Sequence, residues 1–581
     1  MIIRIRTRGG ETVILEIDGI STDVCEGESL QDIVRRLHLD SDSLKTRPLA
    51  AQLAGETFTL GYVPVKKAKV EETRSIRRAV RAAKGKISLL RYEDARGKNV
   101  YERTMLFVFL LGMRNLFPNA RVHIDYAVAE GIYATVKKEP AFSKKDTEKL
   151  LNECKRIVQA DYPLKRVRLD VDEAIEMFAA DGQTDKVRLL EWRMFPYFDV
   201  YKYGDFMDYF YGEMACSTGY VTVFDLHHTK NGVVILRPDQ NDYDKPATFK
   251  DMPILANGFK KSADWGKLMN CSVAADLNDL VRNGEIRQLI RVNEALHERE
   301  LSRIADQIIK KNSKIVLMAG PSSSGKTTTA NRLAIELRVH GKKPTLISMD
   351  DYYMDRDKVE REPDGSIDLE HVKCLDVKLF RKHLRDLLQG KEILKPTFDF
   401  VLQKRAPEGT SIRLDDDSIL LIEGIHGLNP MLLPRNVDTK QIFKLYISAL
   451  TTLNLDDHNR IQTTQIRLLR RLVRDYETRG ASIEKTLSMW TSVRAGEERW
   501  IFPFQEKADC MFNSALVYEP AILRKHIYPL LLNVRPDSVW YEEVHALLKF
   551  LNYFLDANVE DEIPPTSIVR EFIGGNTFYK K

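Results

Sequence analysis

Residues 314–327 read KIVLMAGPSSSGKT, and no other stretch constrains the fold as tightly. The run KIVLMA at 314–319 is short and apolar, as a strand buried in a parallel sheet must be. GPSSSGKT at 320–327 follows at once, and a helical pattern continues to about His340. The string fits G-x-x-x-x-G-K-[ST] in the strand–loop–helix setting that the motif needs. Gly320 and Gly325 permit a turn that aims successive N–H groups, those of Ser322, Ser323 and Ser324 among them, at phosphate oxygens. The dipole of the following helix adds positive potential at the same place. Lys326 neutralises phosphate charge, the Thr327 hydroxyl can ligate Mg2+, and Thr328 completes the nucleotide cradle.

Such a loop serves kinases, GTPases and motor ATPases alike, so the strands around it must decide. No N-K-x-D follows, which disfavours a guanine-specific switch. A second apolar strand, PTLISMD at 344–350, ends in Asp350-Asp351-Tyr352-Tyr353. Residues just past the carboxyl ends of parallel strands line the ligand crevice. Asp350 there could take a proton from an attacking hydroxyl, with Tyr353 beside it as a substrate contact. The alternative is a turn or helix-capping aspartate. A third strand, SILLIEG at 418–424, ends in Glu423, the place of a carboxylate that acts on Mg2+ directly or through water; the alternative is a buried structural carboxylate. Then comes RLLRRLVRD at 467–475, where Arg467, Arg470, Arg471 and Arg474 fall on one face of a helix. Four arginines without interleaved acids repel one another unless an anion sits among them. The expectation is a mobile helix closing over phosphates, the alternative a solvated face, and Arg479-Gly480 ends it like a hinge.

Composition bounds the rest. At 581 residues the chain calls for about three domains. Its longest apolar run, Met105 to Met113, is about half a membrane span. Six cysteines with no CxxC pair argue for a reducing compartment, and the absence of a signal-like N-terminus for a cytoplasmic one. A net charge of +5 implies no nucleic-acid binding by itself, but residues 66–98 carry 12 Lys/Arg against 4 Asp/Glu. That stretch is either a charged helix face or an RNA contact. MIIRIRTR and ETVILEID alternate about Gly9-Gly10, which predicts a hairpin. Helices are predicted over Ser29–Leu37 and Thr104–Phe117, and a strand pair over ARVHIDYAV and GIYATVKK. Pro564-Pro565 and the closing GGNTFYKK predict a frayed terminus.

Five motifs in order, GPSSSGKTT, SMDDYY, ILKPTFDFVLQKR, ILLIEGIHGL and RLLRRLVRDYETRG, resemble the uridine kinase and phosphoribulokinase family of P-loop kinases. The resemblance covers about residue 290 to the end. It implies a parallel α/β sheet, ATP with Mg2+ as donor and a nucleoside-like hydroxyl as acceptor. By that likeness Asp350 is the general base, Lys326 and Arg474 serve the transferred phosphoryl group, and the arginine-rich helix is a lid. Asp368, Arg471 and Arg479 match the family's ribose and phosphate positions. Its pyrimidine-reading positions differ: they hold Ile367, Phe398, Gln403, Ala481 and Met489. Residues 1–64 resemble the TGS domain of threonyl-tRNA synthetases, and residues 66 to about 240 their second additional domain, which hydrolyses mischarged tRNA. The histidine and cysteine positions of that domain fall on Arg103, Phe107, Phe210 and Met214, so a binding or regulatory role is left.

The sequence therefore predicts a multidomain chain: a β-grasp-like α+β domain at 1–64, a synthetase-like α+β domain at 65–240, a helical connector at 241–312 and an α/β P-loop kinase at 313–581. The activity expected is transfer of phosphate from ATP to a nucleoside-like or sugar hydroxyl. Two alternatives stay open: a sugar-phosphate kinase, or an ATP-switched regulatory protein that contacts tRNA or another RNA through its N-terminal half. No membrane partner is expected, and self-association as a homo-oligomer is left open.

Overall fold

The computed structural model describes residues 4–7, 10–53, 56–64, 86–193, 195–361, 368, 370–399, 402–434 and 437–578. The basic stretch up to residue 85, and Ile367, lie outside them. The chain divides into two compact units. One comprises Met1–Asp251, Leu455–Arg460 and Arg535–Phe550; the other comprises Met252–Asn454, Ile461–Val534 and Leu551–Lys581.

The first unit is α+β. Strands Arg4–Thr7 and Gly10–Ile17 pair antiparallel, Thr7 opposite Gly10, as the alternating sequence predicts. Gly10–Ile17 also pairs in parallel with Lys86–Leu90, which extends the sheet to Ala50–Leu53 and Glu56–Thr59. Helix Leu30–Arg36 starts at Ser29, whose hydroxyl accepts the Asp32 N–H while Asp32 caps Ser29 in return, and it buries Leu30, Ile33 and Val34. A second sheet holds the predicted pair Arg121–Val128 and Gly131–Lys137. The long helix Ala95–Leu116 begins nine residues before the predicted Thr104. Its first turns are charged, so the apolar pattern hides them, yet Val100 and Tyr101 are buried. In the same unit Lys186 is 1% exposed, with Nζ 3.2 Å from Asp208 and 3.6 Å from Asp456.

The second unit is built on five parallel strands: β1 (Ile315–Ala319), β2 (Lys343–Ser348), β3 (Ser418–Glu423), β4 (Ile442–Ser448) and β5 (Cys510–Asn513). Their order is β2-β3-β1-β4-β5, every pair parallel. β1 and β3 are buried at every position, which explains their unbroken apolar sequence. Connector helix Ile286–Lys310 shares a core with the helix after the phosphate loop, Leu301, Ile304 and Ile308 meeting Leu333 and Leu337. The end of the chain departs from expectation. Ser567, Ile568, Val569 and Phe572 are wholly buried, because Ile568 and Phe572 complete that same core.

Candidate active site

The phosphate loop lies between β1 and helix Lys326–Val339. Gly320 cannot be replaced there: a Cβ would stand 2.1 Å from the Ile447 carbonyl oxygen on β4. Gly325 caps the helix in the left-handed region at φ +77°, which glycine alone adopts without strain. Ser323 and Ser324 are buried, and neither hydroxyl has a hydrogen-bond partner among the described residues. Buried orphan hydroxyls are expensive unless something fills them. Lys326 Nζ donates to the Pro321 carbonyl at 3.1 Å, Thr327 Oγ1 lies 3.4 Å from Glu423 Oε1, and Thr328 Oγ1 donates to Glu571 at 2.6 Å.

The strand register brings the carboxylates together. Ser348 at the end of β2 lies opposite Glu423 at the end of β3, and Asp350 follows in a short turn. Burial, with the Asp350 charge beside it, pushes Glu423 up to about 7. Burial also raises Asp350, against the pull of Lys326, Arg479 and Arg474. A carboxyl raised this way is a better proton acceptor than a solvated one. Asp351 is already tied to Lys395.

The arginine helix, Thr463–Arg479, divides into two halves. Arg467 and Arg470 are fully buried, paired with Glu497 at 2.6 Å and with Glu519. Half of the expected phosphate-facing stripe is thus structural, because carboxylates from distant elements supply the anions that the helix lacks. The outer half is different. Arg471, Arg474 and Arg479 share one buried carboxylate, Asp475, at 3.2, 2.8 and 3.7 Å. Three guanidiniums thus share one ion-pair partner, and the Arg474 charge, with burial, depresses Arg479. Arg471 Nη1 also donates to Ser322 Oγ at 2.9 Å, which places this guanidinium at the loop.

On the acceptor side, Asp368 accepts from Trp500 Nε1 at 3.3 Å. Burial raises the Tyr353 hydroxyl, and the charges of Asp350, Glu370, Cys374 and Asp368 raise it further. Its ring centroid is 5.7 Å from that of Phe398. Gln403 is exposed at φ +56°, and its side-chain oxygen accepts from Arg356. Sequence reasoning missed Glu370, pushed up to about 7 by burial and Glu497. It missed Asp475 as well, although an acid one residue after Arg474 was there to be read.

In the first unit, Phe107, Phe210 and Met214 are buried apolar side chains, and Arg103 donates to the Glu213 carbonyl at 3.1 Å.

Residues 315–518 match the model of the Phosphoribulokinase / Uridine kinase family. A uridine kinase of Brevibacillus brevis is 30% identical over 199 residues, which is 34% of this chain and 83% of that protein. A threonine–tRNA ligase of Carboxydothermus hydrogenoformans is 33% identical over 145 residues, 24% of this chain. The chain spans 23% of that ligase's length. The solved structure of a possible uridine kinase from Bacillus stearothermophilus aligns at TM-score 0.26 and 20% identity, over 37% of this chain and 98% of that one. No helix among the described residues is long and apolar enough to cross a membrane.

Proposed function

Because this chain belongs to the phosphoribulokinase and uridine kinase family, we propose that it is an ATP-dependent kinase that phosphorylates a ribose-type hydroxyl of a nucleoside-like acceptor. One observation carries the reading. Asp350 follows the carboxyl end of β2 in a short turn, beside Glu423 at the end of β3 and its Thr327 partner, and the charges of Lys326, Arg479 and Arg474 pull on it. The buried orphan hydroxyls of Ser323 and Ser324 and the glycine backbone of the loop fit a polyphosphate. Thr327 and Glu423 are the donors that would hold Mg2+. ATP with Mg2+ supplies the transferable phosphoryl group. Asp350 takes the proton of the acceptor hydroxyl, its basicity raised by burial. Lys326 and Arg474 oppose the charge that develops on the transferred group. Asp368 and Tyr353 orient the vicinal hydroxyls of the acceptor.

The likeness of the N-terminal half to threonine–tRNA ligases supports a tRNA contact there. The test is ADP release across a panel of nucleosides, sugar phosphates and tRNA. Release with a nucleoside alone is the expected result. Release only with a sugar phosphate, or only with tRNA, overturns the acceptor assignment.

A further inference from the structure

The family match stops at residue 518, yet the chain returns to the phosphate loop much later. Residues Ser567–Ile573 are anchored at three points around the loop: to the connector helix, to Arg470, which itself bonds the loop, and to Gly325 within it. Ser567 Oγ donates to Glu294 Oε1 on the connector helix at 2.5 Å. Phe572 lies under the Arg470 guanidinium, 5.0 Å from ring centroid to cation, and Arg470 Nη1 donates to the Ser323 carbonyl at 3.3 Å. Ile568 Cγ2 comes within 2.6 Å of where a Cβ on Gly325 would stand. The fourth contact is chemical. Glu571 Oε2 accepts the hydrogen bond of Thr328 Oγ1 at 2.6 Å.

A threonine hydroxyl has one proton to give. Phosphate oxygens of a bound nucleotide accept and do not donate. Thr328 can therefore serve Glu571 or a phosphate, and not both at once. When the phosphate takes the proton, the Glu571 carboxylate is left beside a polyanion at short range. Its charge is already felt nearby, since Glu571 is among the groups that raise Glu423. From this geometry we infer that Glu571 competes with the nucleotide for Thr328, so that the C-terminal segment sets the affinity of the phosphate loop. Glu571 is an affinity-determining residue outside the family's matched region, acting through Thr328. The inference rests on the nucleotide reading above.

The experiment uses the full-length protein and its Glu571→Gln variant, which keeps the size and an acceptor oxygen but removes the charge. Calorimetry with Mg-ADP should show binding about tenfold tighter than wild type, the scale of one charge-assisted hydrogen bond. Adenosine, which carries no phosphate, should gain nothing. In a Thr328→Val background the gain from Glu571→Gln should fall to about threefold or less, because the contested proton is gone. Thermal melts of each variant establish that it is folded, and Glu571→Asp, which retracts the carboxylate by one methylene, provides a second reading with a smaller gain. Unchanged or weaker ADP binding in folded Glu571→Gln overturns the inference, as does an equal gain for adenosine. If wild type binds no nucleotide while Glu571→Gln does, the competition is supported. If wild type binds ADP and the variant gains nothing, the competition alone falls. If neither binds, the nucleotide reading falls with it.

Discussion

Each unit of the protein holds a lysine among carboxylates, and the two clusters serve opposite ends. Lys186 in the first unit is sealed: Asp208 and Asp456 lie within 3.6 Å and His458 Nδ1 within 3.0 Å of its Nζ. Burial would raise Asp208, but Lys186 and His458 outweigh it and hold the carboxyl down at about 2. Neighbouring N–H groups engage both carboxylates as well: Asp456 accepts from His458 N and from Asn459 N and Nδ2, and Asp208 from Tyr209 N. Lys326 is half-buried and gives its hydrogen bond to a mere carbonyl, while Glu423 beside it is pushed up to about 7 and Arg471, Arg474 and Arg479 share a single carboxylate. A closed cluster has nothing left to offer a ligand. An open one, whose cations share partners and whose carboxylates are raised by burial, can still take up a ligand.

That contrast can be broken most directly at Lys326. Lys326→Ala should lower turnover roughly ten-thousand-fold, about 5.5 kcal/mol of transition-state stabilisation, and leave the melting temperature in place. ADP release and a thermal melt on the same sample check both halves; undiminished turnover would end the assignment. The mirror experiment is Lys186→Met. It strands Asp208 and Asp456 in the core and should cost about 4 kcal/mol of stability, read by urea unfolding of the purified protein. A variant as stable as wild type would mean that the cluster is not closed.

Smaller effects sharpen the open side. Exposed Gln403 is engaged by Arg356, and Phe398 presents only an apolar ring beside Tyr353. Little polar surface is left there to reject a wrong base. Values of kcat/KM for uridine, cytidine, adenosine, guanosine and inosine should therefore stay within about a hundredfold, roughly 2.7 kcal/mol. A steeper pyrimidine preference refutes that account of the pocket. The smallest effect concerns protons. Burial and the Asp350 charge push Glu423 up to about 7, so as pH falls through that range it takes a proton and loses its charge for Mg2+. Half-saturating Mg2+ should rise as pH falls from about 8 to 6, by about tenfold per unit once below 7. Glu423→Gln should flatten the curve, with Asp350 and Glu370 still present, and a wild-type requirement independent of pH would remove Glu423 from the metal site.

The phosphate loop, the strands that flank it and the acids at their ends were readable because each is a short contiguous pattern. Apolar runs of five or six residues name buried parallel strands, and the crevice lies at their carboxyl ends. Helix Leu30–Arg36 was equally readable, since its cap and its apolar face are local. The division of the arginine helix was not. Arg467 and Arg474 look alike in a row of arginines, and only Glu497, some thirty residues on, distinguishes the sealed position from the open one. The same holds for the start of Ala95–Leu116, whose charged first turns gain a buried side only against neighbours far along the chain.

The phosphate loop, its lysine and the acids at the strand ends could be read from the residues alone, because their spacings are enforced by local backbone geometry. Which charges remain available was settled by the folded chain. Charge availability depends on distance in space, and the partners that settle it come from the far end of the chain. Glu519 neutralises Arg470, and Glu571, which looked like part of a fraying tail, holds the Thr328 hydroxyl.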